Sequence, residues 1–382
     1  MKLALIMLVS LLAQAGISGA RLNLSLAALS SGGSAATVGL LNTLYAVLPA
    51  LLAVPVGRQI DRIGTRIPIA AGIALAITGM LLDIAWTSIA SLYAGAVLIG
   101  TGQMIMSSGL GSATGAIAPP QQRAAHYSWG SVAALAGASM GILVAGFSID
   151  HGGHGIAFLV MSLFGAAGLL AVWIRGGLLP KGLAPAGGGA RTRNSLDLFR
   201  VPGLPTLFGV AAMVSMSWDL YQIILPIHGS ALGLPASTIC IVMACFPVGN
   251  FAIRALVPLL SRHFREWTLI TATLTAVGAA FLLLPFAHAA PALMLIAFLL
   301  GCGFGFSYPA AMALIFTITP AGRQGEAIGI RTTMQNLSHV VAPMSMGALF
   351  TLIGIMPVAW MLAASMFATG WFARRAGRQA RR

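Results

Sequence analysis

Four polar residues, Arg331, Gln335, Ser338 and His339, follow one another at i, i+4, i+7 and i+8, so they share one face of a helix. The run around them is otherwise apolar. Polar side chains turned toward lipid are costly, so this face is expected to line an internal cavity, with Asn336 one step round. Three more charged residues sit inside apolar runs: Arg21, Asp219 and Arg254. Asp219 lies beside Trp218, Tyr221 and Gln222, a mixed aromatic and polar patch. Arginine binds carboxylates through a planar fork of donors, and Asp219 and His339 are the deep groups able to carry a proton. Arg254 stands eight residues before Arg262, and Arg331 eight after Arg323, so each lies about 12 Å inside a basic edge. Two arginines at one depth repel unless an anionic group lies near. A bound anionic solute would meet that need, and so would Asp61; the competing reading gives each arginine to backbone carbonyls or helix C-termini. The excess of buried arginine over buried carboxylate points to an anionic or carboxylate-bearing small organic molecule. Asn42 and Tyr45 share a face of another run, and Gln103 lies near the middle of a third. For these neutral residues a plain interhelical hydrogen bond is the competing reading.

The elements that must hold these residues follow from composition. Of 382 residues, 58% are apolar and 7% charged, against about 25% charged in a soluble domain. So little charge cannot cover a soluble globule, and three cysteines exclude a disulfide scaffold. Twelve apolar stretches reach the ~20 residues that a membrane helix needs: 3–28, 35–56, 67–87, 89–116, 126–148, 155–174, 203–226, 236–258, 267–287, 290–316, 327–350 and 353–373. They are too long and too evenly apolar for barrel strands. Met1-Lys2 followed by Ala13-Gln14-Ala15 has a signal-peptide look, but the apolar pattern runs on to Leu29, so a first membrane helix is expected. The 21 Lys and Arg against 7 Asp and Glu would suggest nucleic acid in a soluble protein. Here 18 of the 21 fall on alternate loops or the tail, and the opposite loops carry none. The positive-inside rule then places both termini in the cytoplasm, and no nucleic-acid partner is expected. The exceptions are Arg21, Arg254 and Arg331, which lie within spans.

The longest polar stretch, 175–202, holds Pro180, Pro185 and Gly187-Gly188-Gly189 and reads as a cytoplasmic linker. It splits the spans six and six. The expected organisation is a six-helix bundle over 1–174, the linker 175–202, a second bundle over 203–373 and a basic tail over 374–382. A weak echo supports duplication. Ala36-Thr37-Val38 and Ser237-Thr238-Ile239 open spans 2 and 8, with Pro49 and Pro247 at similar offsets. After span 2 the chain reads Gly57-Arg58-Gln59-Ile60-Asp61-Arg62-Ile63-Gly64-Thr65-Arg66. This resembles the G-x-x-x-D-R-x-G-x-R/K signature of the major facilitator superfamily, in the loop where that family has it. The resemblance covers the whole chain. In the second half, Ser261 and Phe264 stand where the signature would have Asp and Gly.

The resemblance implies an all-α integral membrane protein of twelve helices in two six-helix pseudo-repeats, working as a secondary transporter by alternating access. It implies a conformational latch at Gly57, Asp61, Arg62, Gly64 and Arg66. Because the family's first and seventh helices face each other, it also implies an Arg21–Asp219 pair or gate; the competing reading is that Arg21 snorkels to the outer surface. Proton coupling through Asp219 or His339 is expected by the same resemblance. Span 5 holds Gly137, Gly141, Ala145 and Gly146, similar to a motif of the family's proton-coupled exporters, with Ile142 in place of its proline. An exporter of drugs or metabolites is therefore the alternative, small-residue helix packing the plainer reading of that motif, and a non-transporting receptor or scaffold the reading from another class. Gly301, Gly303, Gly305 and Pro309 are expected to let span 10 bend. Asp83 is expected near the interface. The histidines other than His339 are expected to be solvated, and Cys240, Cys245 and Cys302 to act as small fillers. No P-loop, H-E-x-x-H or G-x-S-x-G is present, so no enzyme is expected. No cofactor or metal is expected, and the chain is read as a monomer in a bacterial-style inner membrane.

Overall fold

The computed structural model describes residues 2–86, 88–117, 123–180, 195–264, 266–319 and 324–379. The described residues form α-helices joined by short turns and 3-10 segments: α1 (Lys2–Ser30), α2 (Ala35–Ile63), α3 (Arg66–Ala85), α4 (Ile89–Ile117) and a run Arg123–Arg175. Gly153 breaks that run at φ 76, a left-handed conformation that glycine adopts freely, and leaves two helices, α5 (123–152) and α6 (154–175). There follow α7 (Leu204–Ala231), α8 (Ala236–His263), α9 (Glu266–Leu283), α10 (Ala290–Ile318), α11 (Gln324–Ile353) and α12 (Ile355–Gln379). Among the described residues, nine segments are long and apolar enough to cross a membrane. One of them, Trp129–Leu178, has 50 residues, enough for two crossings at about 20 residues each. Serines and threonines within the spans turn their hydroxyls back on carbonyls of the preceding turn, as Thr43 does on Gly39, Thr101 on Val97 and Ser307 on Gly303. That keeps polar groups satisfied where lipid offers no partner.

The helices gather into two compact units. The first is Met1–Gly188 with Gly233–Ile241; the second is Gly189–Leu232 with Val242–Arg382. In the first, α1 packs along α5 and α6, and α4 packs against α2 and α3. The α1–α5 seam has no room for side chains. A Cβ on Gly137 would strike the Leu11 carbonyl, and one on Gly141 the Ala15 carbonyl. The small residues of span 5 therefore serve close packing of backbones. The first turns of α8 join this unit, where Asp150 accepts the backbone N–H groups of Ala236 and Ser237 at 3.0 and 2.9 Å. A carboxylate on these free N–H groups caps the helix and matches its dipole. In the second unit, α9 packs on α10 and α12, and α7 packs on α11 and α12.

Asp83 lies in the last turn of α3 and is 4% exposed, its carboxyl packed against Gly95 of α4, where the missing side chain leaves room for it. Two local expectations are corrected. His154 is held rather than solvated: its ring bonds Asn23 at 2.7 Å and Ser30 at 2.9 Å, and the Asn23 amide donates to the His154 carbonyl. His228 is 8% exposed, and its Nε2 donates to the Ala287 carbonyl at 3.1 Å.

Candidate functional site

In the second unit the polar stripe of α11 meets α7, α8 and α10 around a cavity of 290 Å³. At about 30 Å³ per water, that is room for roughly ten waters, or a small organic group. Arg331, Gln335 and His339 line it from α11, Trp218 and Ser215 from α7, Asn250 from α8, and Phe304 and Ser307 from α10. The i, i+4, i+8 spacing of the three α11 residues puts them on one side, spread over about 12 Å of helix. Each element brings a reason to be there. Glycines at 249, 301 and 305 let α8 and α10 approach backbone to backbone, which brings Asn250 and Ser307 to one wall. Trp218 is fixed by an edge-on contact with Phe246 at 4.6 Å, and Phe246 also stacks on Tyr221 at 4.9 Å and contacts Phe304 at 5.3 Å.

The chemistry of this cavity centres on one pair. His339 Nδ1 lies 2.5 Å from Asp219 Oδ2, with the aspartate side chain 4% exposed and the histidine 30%. A carboxylate and an imidazole at this distance share a hydrogen bond, and the wetter histidine faces the cavity. Arg331 is 7% exposed and presents a guanidinium to the same space. A cation, an amide and an imidazole on one helix face can bind an anionic group, while the aspartate behind them can accept a proton.

The other expected residues fall out as follows. Tyr221 is fully buried behind Phe246, and its hydroxyl donates to the Met243 carbonyl at 3.2 Å, so it does not line the cavity. Arg254 is exposed and does not line it either. Arg21 neither stands with a carboxylate of its own unit nor extends free: its Nε and Nη2 donate to Asn42 Oδ1 at 3.2 and 3.0 Å, and its guanidinium lies 4.7 Å from the centre of the Tyr45 ring. Tyr45 in turn donates its hydroxyl to Gln103 Oε1. A continuous polar chain thus runs through the first unit from α1 through α2 to α4. Asn250 and Ser307 were not singled out by the sequence, although Asn250 carries the same signal as Asn42, an amide inside an apolar helix.

The loop between α2 and α3 is tied down within the first unit. Gly64 ends α2 at φ 88, and its N–H bonds Ile60. Thr65 gives both its backbone N–H and its hydroxyl to the Pro180 carbonyl, at 3.2 and 3.1 Å. Arg66 Nη2 donates to the Trp173 carbonyl at 3.1 Å. Arg62 is exposed in the last turn of α2, where a cation suits the helix dipole. Gly57 has open space beside it rather than a closely packed helix. The side chains of Asp61 and Asn336 lie outside the described ones.

Comparison with known proteins agrees with this architecture. No curated protein sequence matches the chain. Among solved structures, a mutant of the nucleoside transporter NupG superposes with a TM-score of 0.79 at 13% identity, covering 98% of this chain and 100% of that one. A POT family transporter in complex with a thioalcohol-conjugated peptide gives 0.77 at 14% identity, covering 99% and 96%. A POT family transporter in complex with 5-aminolevulinic acid gives 0.76 at 13%, covering 98% and 96%. At these identities the likeness is one of fold. The family model of the Major Facilitator Superfamily matches residues 6–343, and with nearly the whole chain inside that match the protein belongs to the major facilitator superfamily of membrane transporters.

Proposed function

We propose that the protein is a proton-coupled secondary transporter of a small organic solute that carries a carboxylate or another anionic group. The observation that carries this reading is the cavity in which Arg331, Gln335 and His339 face one space, with Asp219 held behind His339. A buried guanidinium recognises a carboxylate by charge and by paired donors. The Asp219–His339 pair gives the proton a place to sit beside the solute, so that occupancy of one affects the other. Both six-helix halves take part by alternating access. Gly57, Asp61, Arg62, Gly64 and Arg66 act as the latch on the basic side, which is the cytoplasmic one. The protein works as a monomer in a bacterial-type inner membrane. Arg21, Asn42, Tyr45 and Gln103 supply the first half's share of the path.

The test is transport in proteoliposomes. Solutes in anionic, neutral and cationic classes are first screened by thermal shift, since binding stabilises the folded state by mass action. Hits are then assayed for flux driven by a pH gradient. Anionic hits with proton-driven flux support the reading; hits confined to cations, or flux indifferent to the pH gradient, overturn it. Asp61→Asn should slow flux strongly while leaving folding and binding intact, and unchanged flux would remove the latch assignment. A second reading is favoured by one observation, the aromatic wall of Trp218 and Phe304. An exporter of drugs or apolar metabolites would use those rings, and its hits would be apolar cations or neutral aromatics exchanged for protons. Tight binding without flux would instead mark a receptor.

A further inference from the structure

A second cavity of the second unit, of 630 Å³, opens where α9 begins and α10 and α12 end. It is lined by Glu266, Trp267, Thr268 and Thr271 of α9 and by Arg374 and Arg378 of α12, with Leu314 and Ile318 of α10 at its apolar side. Arg374 and Arg378 are four residues apart, so they project from one face of α12. Both are exposed, and among the described residues neither has a carboxylate within ion-pair distance. Arg375, one step round, is differently placed: its guanidinium lies 3.6 Å above the Trp371 ring. The geometry is built. A Cβ on Gly377 would press on Trp267, so the glycine between the two arginines brings α12 directly against that indole. Trp267 is 8% exposed and forms the floor. Outside the cavity the same helix end shows Trp371 and Phe372 at 48% and 56% exposure, aromatic rings of the kind found at a membrane interface.

We infer that this cavity binds the headgroup of an anionic phospholipid from the leaflet facing the basic loops. Two guanidinium groups supply the charge and donors for a phosphate. Thr268 adds a hydroxyl beside them, that of Thr271 being given to the Trp267 carbonyl at 2.8 Å, and the apolar side along Leu314 and Ile318 gives the acyl chains a path back to the bilayer. Basic pockets between membrane helices on this side are suited to such headgroups. Glu266 works against the anion and sets a limit on its affinity.

The experiment is native mass spectrometry of the whole protein in detergent, titrated with phosphatidylglycerol, phosphatidylcholine or soluble glycerol phosphate. The wild type should retain one phosphatidylglycerol in preference to phosphatidylcholine. R374Q/R378Q should weaken that retention about 30-fold, given the contribution of each basic residue at a charged surface. E266Q should strengthen it, the opposite sign. R175Q/R200Q removes the same number of exposed charges elsewhere and should leave it unchanged. Equal loss in both double variants, no preference for the anionic lipid, or full competition by glycerol phosphate would overturn the inference. Because Arg374 and Arg378 are exposed, their replacement leaves the fold intact, and E266Q gives an independent reading of the same site.

Discussion

The polar groups of the first unit and those of the second solve different problems with similar residues. In the first, Arg21 spreads its charge over the Asn42 carbonyl oxygen and the Tyr45 ring, and Tyr45 passes on to Gln103. In the second, Asp219 meets His339 in a cavity that also holds Arg331. There a carboxylate and an imidazole meet beside open volume. The difference lies in what stands beside each arginine: an amide and an aromatic ring beside Arg21, an acid–imidazole pair and open volume beside Arg331.

The largest effect expected from this contrast is at Asp219. Asp219→Asn removes the carboxylate that His339 bonds and should abolish most proton-driven flux. Solute exchange without a pH gradient should survive better, and intact pH-driven uptake would erase the contrast. Next is Arg331→Gln. Loss of a hydrogen bond to a charged group, about 1.5–3 kcal/mol, should raise KM for anionic solutes roughly 10- to 100-fold and leave neutral ones nearly unchanged. Equal loss for both classes would make Arg331 structural. Arg21→Gln should act more weakly: thermal stability lower by about 1–2 kcal/mol, with flux slowed for all solutes alike. Unchanged flux would remove the first unit's chain from the path. The smallest effect is at the loops. Gly64 sits at φ 88, so Gly64→Ala should cost about 1 kcal/mol in strain. Phe264 occupies the matching place in the second half, no described non-glycine residue has positive φ, and Phe264→Gly should bring no gain in thermal unfolding measurements.

Much of this molecule was readable before any coordinates. Apolar runs of membrane length mark the helices, because a backbone without water in lipid must satisfy its hydrogen bonds within the segment. The stripe on α11 was readable because a helix repeats every 3.6 residues. The sequence singles out Asp219 and His339 separately, and the structure joins them. Sequence spacing fixes which face of one helix a residue occupies, not how far two helices rotate against each other. Tyr221 shows the same gap: it neighbours Trp218 in sequence, yet it turns behind Phe246 while Trp218 faces the cavity. A position near a helix end suggests exposure for His154 and His228, yet both rings are hydrogen-bonded within the protein. Nothing in their own neighbourhoods announces Asn23 or the Ala287 carbonyl, which come from distant parts of the chain.

The glycine seam between α1 and α5 has a meaning for motion and for sequence drift. Where Gly137 and Gly141 lie against the carbonyls of Leu11 and Ala15, not one methyl group can be added. A joint with no slack can neither slide nor hinge without tearing contacts along its length. Helices so joined travel as a single solid. Mutation can reshape the faces that α1 turns elsewhere, while this seam stays as it is.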